Sequence, residues 1–155
     1  IYKEKCDDGD GKACFAGIFV SGDLIRVKID GQWSFLDKNG EIIAKPKFDN
    51  LGVFSEGLAG VKLNGKWGFI DKNGEFAIKP KFNAVWGFSE GLAAVELNGK
   101  WGFIDKSGKF VIKPKFDDIW DFREGLASVG LNGKIGLIDK SGKIVIEPKF
   151  DDIRY

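Results

Sequence analysis

The 155 residues, 43% hydrophobic and carrying 24 basic against 23 acidic side chains, suffice to bury a core in one domain or one repeat array. A net charge of +1 with both signs interspersed removes the electrostatic case for nucleic acid or an anionic membrane surface. No apolar run approaches the roughly 18 residues of a spanning helix, and the absence of His removes the commonest general base and metal ligand.

The chain starts at Ile1, which reads as a processing boundary. Residues 1–20 read as a short helical cap, two pieces around the turn-rich Asp7-Asp-Gly-Asp-Gly11. On one unbroken helix Cys6 and Cys14 would stand about 12 Å apart, beyond the roughly 7 Å reach of a disulfide. A reversal at Gly9 to Gly11 would let them meet, so spacing leaves a bridge and two reduced thiols both open. Tyr2 to Phe15 resembles the junction of two Sel1-like repeats of the cysteine-rich bacterial kind. That resemblance implies a Cys6–Cys14 disulfide stapling the cap over the first repeat, in a compartment that permits disulfides.

From Leu24 the pattern turns to strands. Trp33, Trp67, Trp101 and Ile135 are successive occupants of one position, each 34 residues after the last. Tetratricopeptide repeats share that period, but Asn-Gly, Ser-Gly and Pro interrupt every unit before two helices could form. Asn64-Gly65, Asn98-Gly99 and Asn132-Gly133, with Asp30-Gly31 in the first copy, predict type I′ hairpins. In the third copy this register pairs Leu97 with Lys100, Glu96 with Trp101, Val95 with Gly102 and Ala93 with Ile104. A three-residue loop with Gly108 left-handed then sets Ile104 opposite Phe110, Gly102 opposite Ile112 and Trp101 near Lys113. Pro114 falls at the outer strand end, where a missing N–H is tolerated.

Each copy is thus expected to be a three-stranded antiparallel meander, in units of approximately 21–53, 54–87, 88–121 and 122–155. Three strands is one short of a propeller blade, which favours an open array over a propeller-like ring. One face of the meander (Ala93, Val95, Leu97, Ile104, Phe110, Ile112) is apolar and expected to be core. The other carries Leu92, Ala94, Glu96, Trp101, Phe103, Val111 and Lys113. Phe54, Phe88 and Phe122 are expected to plug the seams between copies, and Trp86 and Trp120 share one connector position where the first copy has Gly52.

Lys66-Trp-Gly-Phe-Ile-Asp-x-x-Gly, then Ile-Lys-Pro-Lys-Phe-Asp/Asn, then Phe-Ser-Glu-Gly-Leu-Ala, resembles the bacterial WG-repeat family, also called KWG repeats. Gln32-Trp-Ser departs at the Gly and Lys134-Ile-Gly at the Trp. The resemblance covers residues 20–155. It implies a β repeat scaffold of the bacterial envelope or secreted space and carries no catalytic residues.

Asp37, Asp71, Asp105 and Asp139 recur at one turn position and are expected to cap it through the side chain. Spaced by the repeat, they do not converge as a catalytic pair, and the ligand run of a calcium loop is absent. Lys45, Lys79 and Lys113 are expected beside the Trp residues as cation–π partners. No enzyme, cofactor or metal is expected. The expected function is binding of another protein through the mixed face, with Leu92, Glu96, Trp101, Phe103 and Lys113 central and Trp67 and Lys79 flanking. A toxin-neutralising immunity protein and a cell-envelope glycan-binding module are the alternatives.

Overall fold

The computed structural model describes residues 3–5, 13–15 and 24–155. The chain divides into two compact units, Ile1–Pro80 and Lys81–Tyr155. Every described element is a strand, so no described helix is long and apolar enough to cross a membrane.

In the first unit β1 (Lys3–Lys5) and β2 (Ala13–Phe15) form an antiparallel ladder, with Lys3 opposite Phe15 and Glu4 opposite Cys14. This corrects the helical cap over those residues. Two short helical pieces would each have to repay nucleation, whereas one ladder pairs both segments at once. Cys6 and the Asp/Gly run lie outside the described residues, and so does the expected disulfide.

Next come β3 (Ile25–Ile29), β4 (Gln32–Leu36) and β5 (Ile42–Phe48), joined in that order. A second sheet runs β6 (Asn50–Ser55), β7 (Leu58–Leu63), β8 (Lys66–Ile70) and β9 (Phe76–Phe82), whose last two residues open the second unit. The second unit holds two further sheets. One is β10 (Ala84–Val85), β11 (Ala93–Leu97), β12 (Lys100–Ile104) and β13 (Phe110–Phe116). The other is β14 (Asp118–Ile119), β15 (Leu126–Leu131), β16 (Lys134–Asp139) and β17 (Ile144–Phe150).

Three of the four sheets therefore have four strands and correct the three-stranded reading. The extra strand is drawn from the connector. Phe-Ser-Glu-Gly in the second copy makes a second tight turn, with Phe54 opposite Ala59 and Ser55 opposite Leu58. Glu56, Glu90 and Glu124 hold φ near +50° there (53°, 51° and 50°), each followed by a left-handed Gly. Four strands is also the count of a propeller blade, so strand number no longer argues against a ring.

The hairpin register is as the turns dictate. Asn98 and Gly99 both sit at positive φ (53° and 80°), as a type I′ turn requires. Leu97 faces Lys100, Glu96 faces Trp101, Val95 faces Gly102 and Ala93 faces Ile104. Gly108 is left-handed at 86° and Ile104 faces Phe110.

Beyond that point the register departs from expectation. Phe103, not Gly102, faces Ile112, and Trp101 pairs with Phe116 rather than approaching Lys113. Lys113, Pro114 and Lys115 bulge over Gly102, where Pro is tolerated because the ladder is already interrupted. A Cβ on Gly102 would sit 2.4 Å from the Ile112 carbonyl oxygen and 2.7 Å from the Pro114 nitrogen. Gly68 and Gly136 would meet their own bulges at 2.5 and 2.4 Å. The Gly after Trp is thus required by backbone folded over it. In the first copy Ser34 takes that place, fully buried, and the ladder still sets Trp33 opposite Phe48.

The β10–β13 sheet carries buried residues on both faces, Ala93, Val95 and Ile104 on one and Ala94 and Phe103 on the other, and within each unit the two repeat sheets share one core. In the first unit Leu24, Phe35 and Phe48 meet Ala59, Val61 and Ile70, with Leu51 and Phe54 between them. In the second unit the equivalent Leu92, Phe103 and Phe116 meet Ala127, Val129 and Ile138, with Ile119 and Phe122. The expected seam plugs are visible as ring pairs: Phe35–Phe54 at 4.9 Å and Phe103–Phe122 at 4.6 Å between centroids. Steeply inclined ring pairs of this kind add about 0.5–1.5 kcal/mol beyond area burial.

Candidate binding groove

The residues expected to form a binding patch are only partly at the surface. Leu92 is 8% exposed and Phe103 1% exposed, both inside the core of the second unit. Trp101 is half-buried against that core, and Glu96 is its half-buried cross-strand neighbour. Lys113 is exposed in the bulge and is not opposite Trp101. In the first unit Trp67 is half-buried on β8 and Lys79 is exposed on β9. Alternation assigns one face to water only when a sheet has one packed side; here both sides are packed, which is why the mixed face turned inward. Among the described residues the cations over rings are Lys28 on Trp33, and Lys47, Lys81, Lys115 and Lys149 each on the Phe that follows it, Lys47 also over Phe76. All lie within 5.3–5.7 Å of a centroid.

The aromatic surface lies instead on the connector. Trp86 and Trp120 are each 42% exposed, at the ends of β10 and β14. Their backbones are fixed: Trp86 N–H donates to the Ala94 carbonyl at 2.9 Å and Trp120 N–H to that of Ser128 at 3.0 Å. Both indoles line a groove of about 350 Å³ in the second unit, with Ile135, Asp121, Arg123, Asp152, Arg154 and Tyr155. Burial raises the Asp121 carboxyl above the ordinary carboxylate range, partly offset by the Arg123 charge. Arg154 Nε donates to Asp152 Oδ2 at 2.9 Å, and the Tyr155 hydroxyl donates to the Leu126 carbonyl at 3.2 Å. Chemically the groove offers flat aromatic faces among charges of both signs, with no nucleophile and base in contact.

The glycine under each bulge and the Trp before it are the features a family model would read. The model described as WG containing repeat matches residues 33–67, 67–101, 101–134 and 135–155. The chain belongs to this family. The match begins at residue 33 and lends no support to the Sel1-like resemblance of residues 2–15. No curated relative matches. One solved structure, titled "The de novo evolutionary emergence of a symmetrical protein is shaped by folding constraints", is 14% identical. It covers 83% of this chain and 69% of its own, with a TM-score of 0.36.

Where the WG repeats depart from one another explains the groove. In the third repeat Trp86 meets Trp101 edge to face, 6.5 Å between centroids and 88° between planes. In the fourth, Trp120 has Ile135 at the position equivalent to Trp101. A smaller side chain stands where the third repeat has an indole, and the groove is lined by both Trp120 and Ile135. Both signals were present in the sequence, as the shared Trp86/Trp120 position and the missing Trp at 135. What was absent was the strand that carries the connector Trp residues.

The polar residues of the WG motif serve turns and joins. Asp37, Asp71, Asp105 and Asp139 each accept two backbone N–H groups of their own loop at 2.8–3.1 Å. Hydrogen bonds from the Ser107 and Ser141 hydroxyls hold Asp105 and Asp139 below the ordinary carboxylate range. Asp117 joins two repeats: it takes Lys100 Nζ on one oxygen and the Asn132 N–H, at 2.9 Å, on the other. Those bonds, Lys100 first, hold its carboxyl low as well. Across the neighbouring turns Ser89 Oγ donates to the Phe122 carbonyl at 2.8 Å, and Gly125 N–H to Glu90 at 2.9 Å.

Proposed function

We propose that the chain is a non-catalytic repeat scaffold that binds another protein through the Trp86/Trp120 groove. One observation supports this above the rest. Two indoles on fixed backbone remain 42% exposed around one groove, which Ile135 also lines. Folding alone favours burying such rings, and exposed aromatics among paired charges resemble an interface centre with a polar rim. The half-buried Trp101 and Trp67 are then packing residues that support the site. Secretion or envelope attachment belongs to the same reading and rests on the resemblance stated above.

The test is a comparison of variants against the native partner, identified by co-purification. Trp86→Ala/Trp120→Ala should lose most partner binding while the protein stays folded, with a modest fall in melting temperature. Lost stability with unchanged affinity of the surviving folded protein would remove the groove from consideration.

A further inference from the structure

We propose that the groove takes a proline-rich segment of the partner in the polyproline II conformation, laid along the repeat stack over Trp86 and Trp120. This deepens the protein-binding reading and rests on it.

The spacing of the rungs comes first. Trp86, Trp120 and Arg154 occupy one repeat position, 34 residues apart, and all three line the groove. Sheets packed face to face lie about 10 Å apart, so equivalent side chains recur at about that interval. A polyproline II chain advances about 9.3 Å over its three-residue turn and presents the same face each time. A β-strand returns to one face every 6.6 Å or so, and after roughly 10 Å it shows the opposite face. An α-helix offers residues seven apart at about 10.5 Å, but it bonds its backbone carbonyls internally and leaves none for the donors that line the groove, whereas a single extended chain leaves them free.

Charge decides the chemistry of that chain. The lining carries two carboxylates, Asp121 and Asp152, and two guanidiniums, Arg123 and Arg154. Arg154 binds Asp152 directly, and Arg123 acts on Asp121. The groove is therefore neutral, and its electrostatic complement is an uncharged ligand. Indole and guanidinium N–H groups only donate, which suits a chain rich in carbonyls and poor in N–H. Proline supplies that chain, with its extended conformation already paid for before binding. A periodic glycan would meet unlike rungs, two indoles and then a guanidinium.

Decaproline, titrated into the full chain with the indole Nε1–H signals observed by NMR, tests this directly. The Trp86 and Trp120 signals should shift while those of Trp33 and Trp67 stay. Trp120→Ala and Ile135→Trp should each weaken binding about tenfold or more, and Ile135→Trp should do so without lowering the melting temperature. A glycine–serine peptide and chitohexaose serve as comparison ligands. Shifts caused by chitohexaose and not by decaproline overturn the inference and replace the partner class with a glycan. No shift with decaproline also overturns it. If the native partner then still shields Trp86 and Trp120, the protein-binding reading stands; if it does not, both fail.

Discussion

Trp86 and Trp101 meet edge to face with their ring centroids 6.5 Å apart, joining the connector of the third repeat to its central strand. One repeat on, Trp120 keeps its place and its partner has become Ile135. Filling that place again should restore the third-repeat arrangement. Ile135→Trp is expected to close the groove and hold or raise the melting temperature, since an edge-to-face pair adds about 0.5–1.5 kcal/mol. A fall of several degrees would mean that the position cannot receive an indole, and that the groove has another origin.

Gly102 is expected to be the most demanding position of its repeat for size. Adding one methyl at 2.4 Å from the Ile112 carbonyl pushes on backbone, and overpacking of this kind costs about 1–3 kcal/mol. Denaturant midpoints of Gly102→Ala and of an exposed control, Val111→Ala, check this. Equal midpoints would show that the bulge yields freely, as the Ser34 of the first repeat would then require.

Phe122 should behave as core although it lies in the connector. It is 1% exposed and packs on Phe103, so Phe122→Ala is expected to cost about 3–5 kcal/mol. Trp86→Ala, at a ring already 42% open to water, should cost less, about 1–2 kcal/mol. Chemical denaturation of both variants ranks them, and the reverse order would move the groove into the core.

Acid should weaken the loop caps and ion pairs of the repeats. Asp105, Asp117, Asp139 and Asp151 all have carboxyls held below the ordinary range, the last by Lys134. The unfolded chain therefore binds protons more readily than the folded one as pH falls below about 4. Their stabilisation is complete above that pH and is lost as pH falls through the lower folded values. Asp121 has the opposite sign: its raised carboxyl favours the folded state at low pH and disfavours it once ionised. Urea midpoints from about pH 5 to about pH 2.5 should fall for the native chain and fall less for Asp117→Asn. Parallel curves would show that the Lys100–Asp117–Asn132 join contributes nothing.

Much of this fold was legible because type I′ turns fix register by geometry. Asn98-Gly99 set five cross-strand pairs in advance, and Gly108 set the next loop. What escaped has identifiable causes. Ala84–Val85 and Asp118–Ile119 are strands of two residues, too short to show any period. The bulge at Lys113–Lys115 inserts residues that strict alternation cannot anticipate. Burial of Leu92 and Phe103 follows from packing on both sides of the sheet, whereas the sequence reading gave water one side. The site moved accordingly, from the central-strand Trp101 to the connector Trp86 and Trp120, a position visible as a repeat but read as loop.

The groove as the protein-binding surface is tested most directly by oxidative footprinting of the native protein with and without its co-purified partner. The account expects oxidation of Trp86 and Trp120 to fall in the complex, while Val111 and the first-unit Ile42, also exposed, react as before. Unchanged oxidation at both Trp residues, with protection appearing elsewhere, would contradict it.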